Sequence, residues 1–309
     1  MILVFKHGQA LLEETYTKLK SGQIFEGMET LAAGLQDVRG SLPADDWKEF
    51  LQSSCLSHPI KDMIHQSPFT RRAFEKPRGY SGDAIVLDFI YGSLQLPDET
   101  SDFGKALYHL WEFQTPSCRS VRARREVLTA MVDELATQMA APKIFSVACG
   151  HLREAQASKA VKDGRIGEYI GLDNDPATLE VIKQEQAAYG VKPVQGSVRS
   201  LLARKLVLNG FDFIYSAGLY DYLALPVATQ LTSILFTMLK PGGRLLIANF
   251  APNLRDIGYL EAFMDWRLIY RDEAEVERFA STIPGNEIGG MKTFREENGN
   301  IVFLEITRS

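Results

Sequence analysis

Ile144-Phe145-Ser146-Val147-Ala148-Cys149-Gly150-His151-Leu152-Arg153-Glu154, with Tyr169-Ile170-Gly171-Leu172-Asp173 after it, decides the fold of this 309-residue chain. An apolar strand enters a tight turn of small residues, a helix comes next, and a second strand ends on an acid. That order is half of a nucleoside-binding βαβ unit, in which the turn lets a ligand approach the backbone and the acid meets a ribose. Two glycines of a dinucleotide fingerprint are missing from the turn, so the identity of the cofactor rests on the strands beyond Asp173.

Outward from this unit, apolar runs alternate with helical segments. Lys143–Ala148, Glu168–Leu172, Lys192–Gln195, Phe211–Ser216 and Gly243–Phe250 read as strands. Strand-helix-strand repetition predicts an α/β fold with a parallel sheet covered on both faces. Tyr259–Ala280 reads as largely helical, and Met291–Phe294 and Ile301–Thr307 flank Asn298-Gly299, a hairpin signal. Before the sheet, Ala10–Lys20, Gln23–Val38 and Pro43–Ser54 carry apolar residues at helical spacing. Asp83 is placed to cap a helix running through Ile90, and Pro116 opens another that reaches about Met139. The expected division is a helical cap over residues 1–140 and a cofactor-binding domain over 141–309.

Composition narrows the function. The chain is 45% apolar and 24% charged with a formal net charge of −5, which gives no electrostatic footprint for a nucleic acid partner. Cys55, Cys118 and Cys149 lack metal-ligand or paired spacing, and the histidines have none either, so no metal is expected and a reducing, cytoplasmic setting is. Met1-Ile2-Leu3-Val4-Phe5 is short for a signal core, and no apolar run is long enough for a membrane anchor. A homodimer is compatible with all of this.

In an open parallel sheet the ligand lies beyond the carboxyl ends of the strands. The first strand ends in Ala148, Cys149, Gly150 and His151, small enough for close approach of an adenosine. The second ends in Asp173 and Asn174, where a carboxylate accepts two ribose hydroxyls; Asp175, before Pro176, reads as a helix cap. Ser197 and Val198 come after the third strand, suited to the edge and face of an adenine. Ser216, Ala217 and Gly218, then Tyr220, Asp221 and Tyr222, come after the fourth, where the reacting group belongs.

These strand ends, with the Leu239-Lys240-Pro241-Gly242-Gly243-Arg244-Leu245 turn, resemble a class I S-adenosylmethionine-dependent methyltransferase over residues 140–309. The resemblance implies a Rossmann-like seven-stranded sheet, parallel except for a C-terminal antiparallel hairpin, with S-adenosyl-L-methionine as cofactor. The chain departs from the family's acid-and-three-glycine turn: Ser146 stands at the acid, Ala148 at the first glycine and Leu152 at the third. Ala148 is tolerated there provided its φ stays negative, and Glu154 is a substitute for the lost acid.

The stretch from Ser67-Pro68-Phe69-Thr70-Arg71-Arg72 through Lys76-Pro77-Arg78-Gly79-Tyr80-Ser81-Gly82-Asp83 is similar to bacterial methyltransferases that make 3-hydroxypalmitic acid methyl ester. This implies a small-molecule acceptor whose carboxylic acid is methylated. An ionised carboxylate needs no general base; Arg78 is the expected anchor for it, with Tyr80 as a hydrogen-bonding wall. Tyr220 and Tyr222 are expected to line the transfer site. A hydroxyl or amine acceptor would instead use Asp221 as base, and a third alternative is a cofactor-binding module without catalysis. Arg119 and Arg122 read as a solvated face, opposite the stripe Val121, Leu128, Val132 and Leu135.

Overall fold

A computed structural model describes residues 2–206 and 208–309. Seven strands form one sheet in the order β3-β2-β1-β4-β5-β7-β6. They are β1 Lys143–Val147, β2 Glu168–Asp173, β3 Val191–Gln195, β4 Phe211–Ser216, β5 Leu239–Phe250, β6 Ile288–Arg295 and β7 Ile301–Arg308. The first five pair in parallel; β7 runs antiparallel to both β5 and β6. This is the Rossmann-like α/β architecture expected from the sequence. The central strands are apolar almost throughout because both faces are covered: β4 is buried at every position, whereas edge strand β3, which carries Pro193, is half exposed.

The chain divides into two units. The first comprises Met1–Val121 and Asn253–Arg267, the second Arg122–Pro252 and Leu268–Ser309, so the boundary falls inside the Pro116–Gln138 helix. In the first unit the helices Ile2–Lys20 and Ile24–Ser41 bury Leu12, Leu19, Met28, Leu31 and Leu35. Asp83 caps the helix Ala84–Tyr91 as expected, accepting from Val86 N at 2.9 Å. In the second unit the core includes Phe145, Ile170, Phe211, Ile214, Leu245 and Leu304.

Local chemistry explains the hairpin. Gly299 takes a φ of +72°, and the Glu296 carboxylate accepts the N–H groups of Asn298, Asn300 and Ile301 at 2.5, 2.7 and 3.1 Å, closing the turn between β6 and β7. The Lys240–Gly243 turn lies inside β5, where the β4 pairing register shifts; Gly242 has a φ of +77°. The expectation of a mainly helical Tyr259–Ala280 is corrected. Helix Ile257–Phe263 stops before Asp265, which has a φ of +42°, and helix resumes only at Glu273–Glu277. Met264, Trp266, Leu268, Ile269 and Tyr270 therefore lie outside any helix, although apolar residues in sequence mimic helical spacing there.

Candidate functional site

The β1 turn keeps the backbone of a three-glycine loop while carrying one glycine. Ala148, Gly150 and Leu152 have φ of +53°, +55° and +51°. The negative φ expected of Ala148 is thus wrong: the turn between β1 and the helix at Arg153 requires the left-handed region whichever residue occupies it. Leu152 is accommodated by Gly171 of β2, since a Cβ built there would stand 2.5 Å from Leu152 Cδ1 and 3.0 Å from Cys149 Sγ. Buried Gln186 ties the turn from the far side, donating to His151 O at 2.5 Å and Leu152 O at 3.2 Å.

The two unusual residues differ in what they contribute. A left-handed alanine costs about 1 kcal/mol, and exposed Ala148 gains nothing from its methyl group, so Ala148→Gly is expected to raise the unfolding free energy by up to about 1 kcal/mol in urea titration. Leu152 is 1% exposed, and emptying its site costs about 2–5 kcal/mol, so Leu152→Gly destabilises in the same assay.

Asp173, at the tip of β2, faces this turn. Its Oδ2 accepts from Gly150 N at 3.0 Å and its Oδ1 from Asp175 N at 3.0 Å. Burial raises its carboxyl above the ordinary range against the pull of these N–H groups. Asn174 is exposed beside it, and Asp175 is a cap, accepting from Ala177 N at 3.0 Å. Cys149 adjoins the same acid: burial pushes its thiol up, and Asp173 and Glu154 push it further.

Ser197 ends up as the cap of the short helix Val198–Leu202, in a reciprocal pair with Ser200, and Val198 is half-buried against the core. Ser216 donates to Val147 O at 3.1 Å inside the sheet. Tyr220 is buried at 0% exposure, its hydroxyl 3.0 Å from that of Thr232. Asp221 is buried too. Its Oδ1 accepts from Phe250 N at 2.7 Å, and burial raises its carboxyl to about 6 against that bond and against Arg124 and Arg271. Tyr222 is exposed.

Sequence reading passed over three side chains here. Arg271 donates to Tyr220 O at 2.9 Å, Asn249 Oδ1 at 2.8 Å and Leu223 O at 2.6 Å, locking the turn after β4. Tyr215 of β4 donates to Glu154 Oε1 at 2.5 Å and meets Tyr169 of β2, forming a buried polar line beneath the β1 turn. Arg124, 4% exposed, donates to Ala217 O. One signal for Arg124 was available: it falls on the stripe of Val121, Leu128, Val132 and Leu135, a core position for a charge. Arg119, by contrast, is exposed as expected.

Arg78 and Tyr80 belong to the first unit, half-buried in the loop after helix Pro68–Glu75. That loop is pinned by Arg72, whose Nε is 3.1 Å from each oxygen of buried Asp83, and by Lys76 Nζ at 2.5 Å from Asp265. Gly79, at φ +90°, makes the bend between them. Among the described residues no cluster of three or more His, Cys, Asp or Glu side chains has the geometry to hold a metal, and no helix is long and apolar enough to cross a membrane.

Residues 145–247 match the family model described as a methyltransferase domain. No curated protein matches the chain. Among solved structures, a possible exported protein from Bordetella parapertussis is similar at 14% identity and a TM-score of 0.56, over 73% of this chain and 79% of that one. Magnesium protoporphyrin IX methyltransferase from Synechocystis PCC 6803, with bound S-adenosylhomocysteine, is similar at 15% identity and 0.47, over 72% and 92%. N-methyltransferase NodS from Bradyrhizobium japonicum WM9 is similar at 13% and 0.43, over 60% and 96%. With the sheet order and strand ends above, the match over 145–247 identifies a methyltransferase domain in this chain, with S-adenosyl-L-methionine as its cofactor.

Proposed function

We propose that this enzyme methylates a small molecule, and that the group methylated is the carboxylate of an apolar-tailed fatty or hydroxy acid, giving a methyl ester. The observation that carries the reading is the state of the β4 end. Tyr220 is committed to the core through Thr232, and Asp221 is committed to Phe250 N, so the residues best placed to take a proton are used in holding the fold. An ionised carboxylate has no proton to lose. It needs only to be oriented toward the methyl carbon and shielded from water. The similarity of residues 67–83 to makers of 3-hydroxypalmitic acid methyl ester supports a 3-hydroxy fatty acid as the first acceptor to test.

On the donor side, Asp173 takes the ribose hydroxyls with Asn174 beside it, and the turn Ala148, Cys149, Gly150 and His151 lies against the nucleoside. Ser197 and Val198 border the adenine; Ser216, Ala217 and Gly218 border the reacting methyl. Bound there, S-adenosylmethionine supplies an electrophilic methyl group on a sulfonium. Residues 1–140 select the acceptor in this reading and 141–309 hold the donor, with Arg78 as the carboxylate anchor and Tyr80 and Tyr222 as walls.

Transfer of radiolabelled methyl to candidate acids, amines and RNA tests the assignment, with label expected in a base-labile ester. Arg78→Ala is expected to raise the KM for the acid about 10-fold and to leave S-adenosylhomocysteine affinity unchanged by calorimetry. A second reading, with Asp221 as base toward a hydroxyl or amine, is favoured by its carboxyl standing at about 6, nearer neutrality than an ordinary aspartate. Base-stable label that disappears in Asp221→Asn would select it.

A further inference from the structure

Two arginines are buried in the second unit near the end of β4, and they are used very differently. Arg271 meets two carbonyls and an amide oxygen through its terminal nitrogens and lies 5.1 Å over the Phe279 ring, so its place in the fold is fully accounted for. Among the described residues Arg124 has a single acceptor, Ala217 O. Its Nε is buried and without a hydrogen-bond partner among the described residues, and no carboxylate lies within ion-pair distance of it there. A guanidinium largely taken out of water with a buried N–H left unpaired is costly unless something else completes it.

The location indicates what completes it. Sheet order reverses between β1 and β4, and the crevice beyond that switch point is where an open α/β sheet holds its ligand. A Cβ built on Gly218 would stand 3.8 Å from both terminal nitrogens of Arg124, so the missing side chain leaves the guanidinium fork uncovered on that side. Glu154 and Asp221 are close enough for Arg124 to favour their ionised forms. A planar cation facing a gap, with acids set apart from it, suits a ligand that carries a carboxylate and an ammonium on one carbon.

We propose that Arg124 receives the α-carboxylate of the donor's methionine portion, with Glu154 on the ammonium side, replacing the grip lost at Ser146. The inference goes beyond the acceptor assignment and rests only on the donor. Calorimetry with S-adenosylhomocysteine and with methylthioadenosine, which lacks the amino-acid portion, tests it. Arg124→Met is expected to weaken S-adenosylhomocysteine about 10- to 100-fold while methylthioadenosine changes less than about 3-fold, and Arg124→Lys is expected to recover part of the loss.

Equal losses for the two ligands would mean that Arg124 merely holds the Ala217-Gly218 turn, and would overturn the proposal. Unchanged S-adenosylhomocysteine affinity with a raised KM for the acid would assign the guanidinium to the acceptor and overturn it as well. If R124M loses its unfolding transition, the ratio of the two affinities in Arg124→Lys decides by the same criterion. Wild-type protein that binds neither ligand would remove the donor assignment itself, independently of Arg124.

Discussion

Asp173→Ala is expected to lower the affinity for S-adenosylhomocysteine about 10- to 100-fold, the equivalent of about 1.5–3 kcal/mol for hydrogen bonds to a charged acceptor. Each oxygen of Asp173 already accepts one backbone N–H, from Gly150 and from Asp175, and each keeps a further lone pair for a ribose hydroxyl. Alanine therefore removes the acceptors proposed for the ribose and also releases Gly150, the centre of the β1 turn. Asp173→Asn couples the two effects. It preserves shape but points an amide donor at one of two backbone donors, so it should weaken binding and lower the unfolding temperature together. Calorimetry on both variants, with ligand-free melting curves beside it, is the check; wild-type affinity in Asp173→Ala would refute the ribose assignment.

Glu112 is expected to make the stability of the first unit fall as pH rises. It is completely buried and meets only hydroxyls: Ser67, Thr70 at 2.5 Å and Tyr259 at 3.1 Å. Burial raises its carboxyl from 4.5 to about 7, the three hydroxyls opposing. Between those values the folded chain holds a proton that the unfolded chain has released. Stability from this group is thus complete below about 4.5, declines through the window, and is lost above about 7. The displacement corresponds to about 3 kcal/mol. Glu112→Gln removes the titration, so the wild-type unfolding free energy minus that of the variant should drop by about 3 kcal/mol between about pH 4.5 and about pH 8 in urea titrations. Parallel curves would show that Glu112 does not titrate in this way.

Both residues show how far sequence reasoning reached. The place of Asp173 was legible because it depends on strand order: an acid at the tip of a second parallel strand has a defined neighbour, the β1 turn. Glu112 was not, because Ser67, Thr70 and Tyr259 lie 45, 42 and 147 residues away, and no local pattern announces their meeting. The β1 turn lies between these cases. Its departures from three glycines were visible, but that Ala148 and Leu152 keep the left-handed backbone, and that Gly171 makes room for Leu152, depends on how two strands are stacked.

Tyr220 and Ser197 show a different limit. Each stands at a strand end, where a functional role is expected, yet one hydroxyl is spent on Thr232 and the other caps a five-residue helix. Position along the chain places a residue near the ligand crevice. Whether its polar atoms face the crevice is decided by the partners that packing provides.

By itself, then, the sequence determined the alternation of strands and helices, the parallel sheet and its C-terminal hairpin, because hydrophobic periodicity and turn residues act over a few neighbouring positions; the seven-strand count and the donor class followed from the resemblance of the strand ends to a known family. Tertiary structure alone decided which side chains converge. It brought Arg124 from a helix beside Ala217 and Gly218, set Glu154 under Tyr215, and enclosed Glu112 without a cation. Burial and electrostatic pairing are properties of residues distant in sequence and adjacent in space, and for that reason they were not written in any local stretch of this chain.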